Sequence, residues 1–149
     1  MIVWVKAAFA FLLGVAVSAL SPARVALAEG LANAVTTRYP TLSFADQLKI
    51  AAKLVAIGWR ETGLRNDIRG DNGESCSAFQ TWRSGKCLAL ERDPKLGATE
   101  ALIILERASL AKCDPLEIYA VGHCGNLRGQ RIASDRNALA ARLVKEVSP

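Results

Sequence analysis

Histidine and closely paired cysteines are scarce in this sequence of 149 residues. His123 is the single histidine, and none of the four cysteines belongs to a Cys-x-x-Cys pair. Structural zinc sites are usually built from such pairs, often together with histidines. A metal centre is therefore not expected, and no organic cofactor is predicted either.

The sequence also lacks an apolar run long enough for a transmembrane helix. The longest run, Ala7 to Leu20, is shorter than the roughly 20 apolar residues that a spanning helix needs. A positively charged start precedes it, and Ala26-Leu27-Ala28 behind it matches a signal-peptidase site. We therefore predict a signal peptide in residues 1–28 and a single domain in residues 29–149. The mature protein is expected to be periplasmic or secreted, without stable membrane insertion.

Clusters of lysine and arginine interleaved with aromatic residues, which nucleic-acid binding requires, are missing as well. The formal net charge of +5 falls to about +3 without Lys6 and Arg24 of the predicted leader. This mild positive charge suits an anionic polymer such as a cell wall. No nucleic-acid partner is expected, and we predict a monomer.

The four cysteines, Cys76, Cys87, Cys113 and Cys124, predict two disulfides, because their number is even and the chain is expected to be exported. Pairing Cys76 with Cys87 would close a short local loop. Cys113 and Cys124 are expected to flank a short helix, whose rise of ~1.5 Å per residue would hold them too far apart. The crossed pairing, Cys76 with Cys124 and Cys87 with Cys113, therefore stays open.

Apolar periodicity and capping residues predict a mainly α fold (α+β). An Ala-rich helix is expected in residues 29–39. The first strong helix is expected to begin after Ser43 in a capping box and to end at Gly63. Its predicted core face is Phe44, Leu48, Ala51, Val55 and Gly58/Trp59.

Two further helices begin with the same signal, Asp93-Pro94 and Asp114-Pro115, and Gly122 is expected to end the second of them. The last helix is predicted to start at Ser134. Its apolar residues are expected to face inward and its charged residues to face water; these are Leu139, Leu143 and Val147 inside, and Arg136, Arg142 and Lys145 outside. Between Gly63 and Asp93, the polar residues 65–85 predict turns around a small hairpin, with Ala78-Phe79-Gln80 as its strand.

Glu61 is the candidate catalytic residue, because it lies in the last turn of the first strong helix and just before the Gly-rich hairpin. Glycosidic cleavage needs a protonated carboxyl group beside the leaving oxygen, and apolar surroundings favour the protonated form. Glu61 follows Ile57 and Trp59, which could supply such surroundings. The alternative is a solvated glutamate at a helix end that pairs with Arg60 or Arg65.

Three short motifs occur in a familiar order: Glu61-Thr62-Gly63, Ser75-Cys76-Ser77-Ala78-Phe79-Gln80 and Tyr119-Ala120-Val121-Gly122. They resemble motifs of the lysozyme-like superfamily that contains goose-type lysozymes and soluble lytic transglycosylases. The resemblance covers roughly residues 43–127. It implies a lysozyme-like fold in which a small β-hairpin follows the helix of the catalytic Glu.

The resemblance also implies roles for individual residues. Glu61 would be the catalytic acid and Tyr119 the tyrosine beside it, and the strand Ala78, Phe79 and Gln80 would line the substrate cleft. Two positions depart from the family pattern. Ala120 stands where the family has Asn, and Ser77 stands where it has Gly, which would place a side chain where backbone approaches the sugar.

Asp71 is the one candidate for a second carboxylate. Gly70-Asp71-Asn72-Gly73 resembles the Gly-Asp-x-Gly of goose-type lysozymes, whose Asp helps to position water, although Asp-Asn-Gly is also ordinary turn chemistry. Of the aromatic residues, Trp59 is assigned to the core, and Trp82 is open between the core and sugar stacking. His123 is expected to be structural.

The resemblance implies an enzyme that cleaves peptidoglycan glycan strands between N-acetylmuramic acid and N-acetylglucosamine. A lytic transglycosylase with Glu61 as acid and base is the preferred interpretation. The alternatives are a goose-type hydrolase that uses Glu61 and Asp71, and a non-catalytic relative that only binds peptidoglycan.

Overall fold

A computed structural model describes residues 1–82 and 85–147, and within these residues the chain is mainly helical. The described residues form seven α-helices, which are α1 (Ile2–Leu13), α2 (Pro22–Arg38), α3 (Phe44–Thr62), α4 (Cys87–Arg92), α5 (Pro94–Ala108), α6 (Pro115–Val121) and α7 (Leu127–Glu146). Between α3 and α4 lies an antiparallel hairpin of β1 (Ser75–Cys76) and β2 (Thr81–Trp82), paired Ser75 with Trp82 and Cys76 with Thr81. The predicted fold class, mainly helical with a small β element after the first strong helix, is confirmed.

The ends of α3 form where the sequence predicts them. The Ser43 hydroxyl accepts the backbone N–H of Asp46 at 3.1 Å, and Gly63 ends the helix with a left-handed backbone at φ 63°. Asp93 and Asp114 cap α5 and α6 in the same manner. On the predicted core face of α3, Phe44 is the exception, because it is 49% exposed at the first turn.

The main helices pack in pairs, α3 along α7 and α2 along α5, and α6 packs against the first half of α7. One apolar core runs through all of these contacts. Gly30 on α2 permits a close approach to α5, because a Cβ there would lie 2.7 Å from the backbone nitrogen of Lys95. The pairing of α3 with α7 brings the end of α3 against the middle of α7, and this contact positions the site described below.

The N-terminal helices pack against this core. Helix α2 begins at Pro22 rather than near residue 29, because the Ser21 hydroxyl accepts a hydrogen bond in its first turn. It therefore runs through Ala28, the end of the predicted signal peptide, which is fully buried. Cleavage after Ala28 would remove α1 and the first turns of α2. The signal peptide in residues 1–28 stays a prediction. Within the part of the chain that the structure describes, no helix combines the length and the apolar character that crossing a membrane requires.

The predicted start of the last helix is wrong. Helix α7 begins at Leu127, where the Asn126 side chain accepts the backbone N–H of Gly129 at 3.1 Å, and Ser134 lies inside the helix. The longer helix has a buried stripe of Gly129, Ala133, Arg136, Ala140 and Leu143. Arg136, predicted to face water, is only 5% exposed, whereas Arg142 and Lys145 are exposed as predicted.

The predicted strand Ala78-Phe79-Gln80 is also wrong, because these residues form the turn between β1 and β2. Ser77 and Gln80 have φ angles of 68° and 48°, in the left-handed region that extended strands do not use. Ala78 and Phe79 are fully buried under this turn. The hairpin is therefore a tight loop with two short strand pairs rather than an extended strand.

Two disulfides link neighbouring cysteines, Cys76 with Cys87 and Cys113 with Cys124, at Cα–Cα distances of 5.5 and 5.8 Å. The expectation that Cys113 and Cys124 lie too far apart is wrong. Helix α6 has only seven residues, and Gly122, with φ 82°, turns the chain back toward the start of the helix. The crossed pairing that the sequence left open does not occur.

Candidate active site

A cleft of about 490 Å³ lies between the end of α3, the hairpin, and the segment from α6 to the start of α7. Several residues singled out in the sequence line it together, namely Glu61, Asp71, Gln80, Trp82 and Tyr119. Arg128 of α7 lines it as well. We call Glu61 with Arg136 the cleft floor, and residues 70–82 the hairpin wall.

The carboxylate of Glu61 is held by Arg136. The Arg136 Nη2 group donates a hydrogen bond to Glu61 Oε1 and forms an ion pair with it. The Glu61 side chain is 27% exposed and the Arg136 side chain only 6%, so the pair joins the cleft to the interior. The sequence-based alternative, pairing with Arg60 or Arg65, is wrong, because those arginines pair with Asp135 and Asp67. The catalytic interpretation expected apolar surroundings for Glu61. Its carboxylate also contacts the charged guanidinium of Arg136.

Tyr119 connects the cleft floor to the hairpin wall. Its hydroxyl donates a hydrogen bond of 2.7 Å to the carbonyl oxygen of Phe79, and the Arg136 guanidinium carbon lies 6.0 Å from the centre of its ring. That distance is at the outer limit of a cation–π contact. Tyr119 thus lines the same cleft as Glu61 and lies near its partner Arg136, and the role that the resemblance implies for Tyr119 stays a prediction.

Gln80 shapes the wall rather than simply facing the cleft. Its Nε2 group donates to the carbonyl oxygens of Ile68 at 2.9 Å and Ser77 at 3.1 Å, which ties both arms of the loop together. A Cβ added at Gly70 would lie 2.5 Å from Gln80 Oε1, so a larger residue there would require the Gln80 side chain to shift. The structure therefore gives Gln80 a positioning role at the edge of the cleft.

Asp71 lies on the same wall, in a short 3-10 turn. It accepts a hydrogen bond from the Ser75 hydroxyl, and its own φ of 49° is the left-handed conformation that Asp tolerates in turns. Both sequence interpretations thus have a structural counterpart. Asp71 stabilises the turn, and it also lines the cleft that contains Glu61.

Trp59 and Trp82 lie in different environments. Trp59 packs against the core, as the sequence analysis assigned it. Trp82 lines the cleft with 60% of its surface exposed, and its indole N–H donates to Glu74 Oε2 at 2.9 Å. A large ring with an anchored polar edge is suited to stacking on a sugar.

Two other expectations change once the hairpin is seen. Ala78 and Phe79 do not line the cleft, and Phe79 contributes its backbone carbonyl to Tyr119 instead. Ser77 does not point toward a substrate, because it is fully buried and packs against Gly97 of α5. His123 is exposed in the loop after α6, and Ala120 lines the cleft.

An ion pair between Arg69 and Glu91 links the segment before the hairpin wall to α4, and a second pair, Arg65 with Asp67, is local to that segment. The Arg69 guanidinium donates two hydrogen bonds to Glu91 of α4 and thereby lowers the pKa of that carboxyl group. Arg65 likewise lowers the pKa of Asp67. Both pairs lie at the surface, so they position the loop more than they stabilise the fold.

Arg136 and Arg128 are charged residues of the site that sequence reasoning missed. A signal for Arg136 was present, since this residue precedes the predicted inward residues Leu139, Leu143 and Val147 by helical steps of three and four. Among the residues that the structure describes, no group of three His, Cys, Asp or Glu side chains is placed to bind a metal ion. Comparison with protein-family models, with curated proteins and with solved structures finds no match.

Proposed function

We propose that this chain is an exported lytic transglycosylase of lysozyme-like fold, which cleaves peptidoglycan between N-acetylmuramic acid and N-acetylglucosamine. The observation that carries this proposal is the position of Glu61. Glu61 lies at the end of α3 and lines a cleft together with residues of the Gly-rich hairpin and Tyr119. The sequence resemblance supplies the reaction that fits this arrangement.

In the proposed reaction, protonated Glu61 gives its proton to the glycosidic oxygen as the bond from that oxygen to muramic C1 breaks. Glu61 Oε1 accepts a hydrogen bond from Arg136, and none of the described residues donates one to Oε2. Oε2 is therefore the oxygen available to carry the proton. The carboxylate then takes the proton of the muramic C6 hydroxyl while that oxygen bonds to C1. Glu61 ends protonated, and the product is a 1,6-anhydro sugar formed without water.

The hydrolytic alternative rests on Asp71, which lines the same cleft. An inverting hydrolase needs a second carboxylate that holds a water molecule on the far side of the sugar. Asp71 is engaged by the Ser75 hydroxyl within its own turn, which favours the transglycosylase. We expect Asp71→Asn to keep cleavage within about threefold of wild type, because Asn retains an acceptor for Ser75. Loss of cleavage in this variant, as measured by release of soluble muropeptides, would favour the hydrolase.

A non-catalytic peptidoglycan-binding protein is the other alternative, and the ion pair between Glu61 and Arg136 is the observation that favours it. An ion pair this close to the interior could serve structure alone. A binding protein would retain sacculi in a pull-down assay and release no fragments from them.

Substitution of Glu61 separates these proposals. A general acid contributes typically about 10²- to 10⁴-fold, so Glu61→Gln should lower the rate of muropeptide release by that factor. Gln keeps an acceptor for Arg136, and thermal melting checks that the fold is retained. Glu146→Gln, at an exposed glutamate near the end of α7, is the matched control and should leave the rate unchanged. Equal rates in Glu61→Gln and wild type would rule out Glu61 as the acid.

A further inference from the structure

The side chain of Arg136 is unusually placed for an arginine that only stabilises a fold. It is buried, yet Nη2 alone donates a hydrogen bond, and Nε and Nη1 have no hydrogen-bond partner among the described residues. A guanidinium has five N–H donors, and buried arginines usually satisfy them in forked pairs with carboxylates. A buried group left partly unsatisfied is costly, so its single partner calls for an explanation.

A second ion pair between the same two helices provides the comparison. Arg60 of α3 pairs with Asp135 of α7 at 2.8 Å, and these side chains are 45% and 52% exposed. That pair already links α3 to α7 at the surface. In the inner pair, Glu61 with Arg136, the arginine lies on α7 instead of α3 and is buried. Its partner Glu61 lines the cleft.

From this geometry we infer that Arg136 is a positioning residue for Glu61, which fixes Oε1 and leaves Oε2 for the glycosidic oxygen. The inference rests on the proposed function and adds a specific residue to it. Arg136 does not line the cleft, so it acts through Glu61 and not on the sugar. Its charge also stabilises Glu61 in the second half of the reaction, when the proton has gone to the leaving oxygen.

Other charged or titratable groups near the acid come from each wall of the cleft. Tyr119 lies on α6, Asp71 on the hairpin wall and Arg128 at the start of α7. Arg60, the neighbour of Glu61 on α3, is held by Asp135. Of the charged residues on these elements, Arg136 is the one that donates to the Glu61 carboxylate in the described structure.

The test compares kcat and KM of wild type, Arg136→Met, Arg136→Lys and Arg60→Met on solubilised glycan strands. In Arg136→Met, kcat should fall roughly 10- to 100-fold, because a misplaced acid loses near-attack geometry, while KM stays within about twofold. Arg136→Lys keeps the charge but not the planar fork, so kcat should fall there as well while KM stays unchanged.

Arg60→Met removes an arginine from the same helix pair and should match wild type in both measurements. Thermal melting accompanies every variant, and if Arg136→Met does not fold, Arg136→Lys decides through its loss of kcat with an unchanged KM. Wild-type kcat in Arg136→Met, or wild-type kcat in Arg136→Lys if the Met variant does not fold, would overturn the positioning role and leave the proposed function intact. Absence of cleavage by wild type itself would overturn both, and only that outcome touches the proposed function.

Discussion

The cleft floor and the hairpin wall are held in place by different interactions. The floor lies on two long helices whose buried faces pack together, and its carboxylate is fixed by a buried arginine. The wall contains two short strands, a disulfide and several local hydrogen bonds. Four of its non-glycine residues have left-handed backbones, namely Asp71, Asn72, Ser77 and Gln80.

This difference suggests a division of labour between the two regions. A rigid floor suits the proposed role of Glu61 as acid, because proton transfer depends on the placement of one oxygen atom. A wall built from a loop suits contact with a polymer, because its exposed side chains can change without disturbing the core. Substitutions in the floor should therefore lower stability and kcat, and substitutions in the wall should mainly change KM.

The largest expected effect on stability is in the floor. Arg136→Met leaves Glu61 without its buried partner, and we expect the free energy of unfolding to fall by about 3 kcal/mol. Arg60→Met removes the exposed pair between the same helices and should cost at most about 1 kcal/mol. Urea titrations followed by circular dichroism measure both. Equal losses of unfolding free energy in the two variants would show that the buried pair stabilises the fold no more than the exposed pair does.

The next largest effect on stability is expected for the two disulfides. Each closes a loop between cysteines eleven positions apart, so the paired changes Cys76→Ser with Cys87→Ser, or Cys113→Ser with Cys124→Ser, should each cost about 2 to 3 kcal/mol. The first pair also anchors the hairpin wall and should raise KM. Thiol titration of the native protein should find no free cysteine. Four reactive thiols in protein from its own compartment would contradict both the pairing and the expected export.

A smaller effect is expected at Trp82 on the wall. If its exposed ring stacks on a sugar, Trp82→Ala should raise KM about 3- to 10-fold and leave kcat unchanged. Leu88→Ala, at a residue of α4 that is equally exposed but lies outside the cleft, is the control. An effect on kcat alone would assign Trp82 to the chemistry of the floor and would weaken the comparison between the two regions.

The smallest effect concerns the link between Arg69 and Glu91 behind the wall. The pKa of Glu91 is lowered from its ordinary value of 4.5 by Arg69, so the pair contributes stability above about pH 4.5 and loses it as the pH falls further. The urea midpoint of wild type should exceed that of Arg69→Met at pH 6, and the two midpoints should converge at pH 3. A constant difference at both pH values would mean that the pair does not act through charge.

The sequence predicted the parts of this structure that depend on neighbouring residues. Ser43, Gly63, Asp93 and Asp114 cap helices where expected, because capping uses side chains and backbone groups within one turn. The strand predicted at Ala78-Phe79-Gln80 is part of a turn, and the sequence could not show this, since Ala78-Phe79 is apolar and its burial under a tight turn is a tertiary effect.

The contacts that make the site depend on residues far apart in the chain, and the sequence did not predict them. Arg136 meets Glu61 across 75 positions, and a charged residue on an amphipathic helix is ordinarily solvated. The pairing of Cys113 with Cys124 was discounted because a helix was expected to hold them apart. The short α6 and the left-handed Gly122 decide that geometry instead.

The most direct test of the central claim is digestion of purified peptidoglycan sacculi by the wild-type protein in ¹⁸O-labelled water, with mass spectrometry of the released muropeptides. A transglycosylase with Glu61 as acid and base should release 1,6-anhydro-muramyl ends that carry no label, because no water enters the product. Absence of new glycan ends would contradict the enzymatic function. Reducing ends that carry ¹⁸O would instead show a hydrolase and would make Asp71 the partner of Glu61.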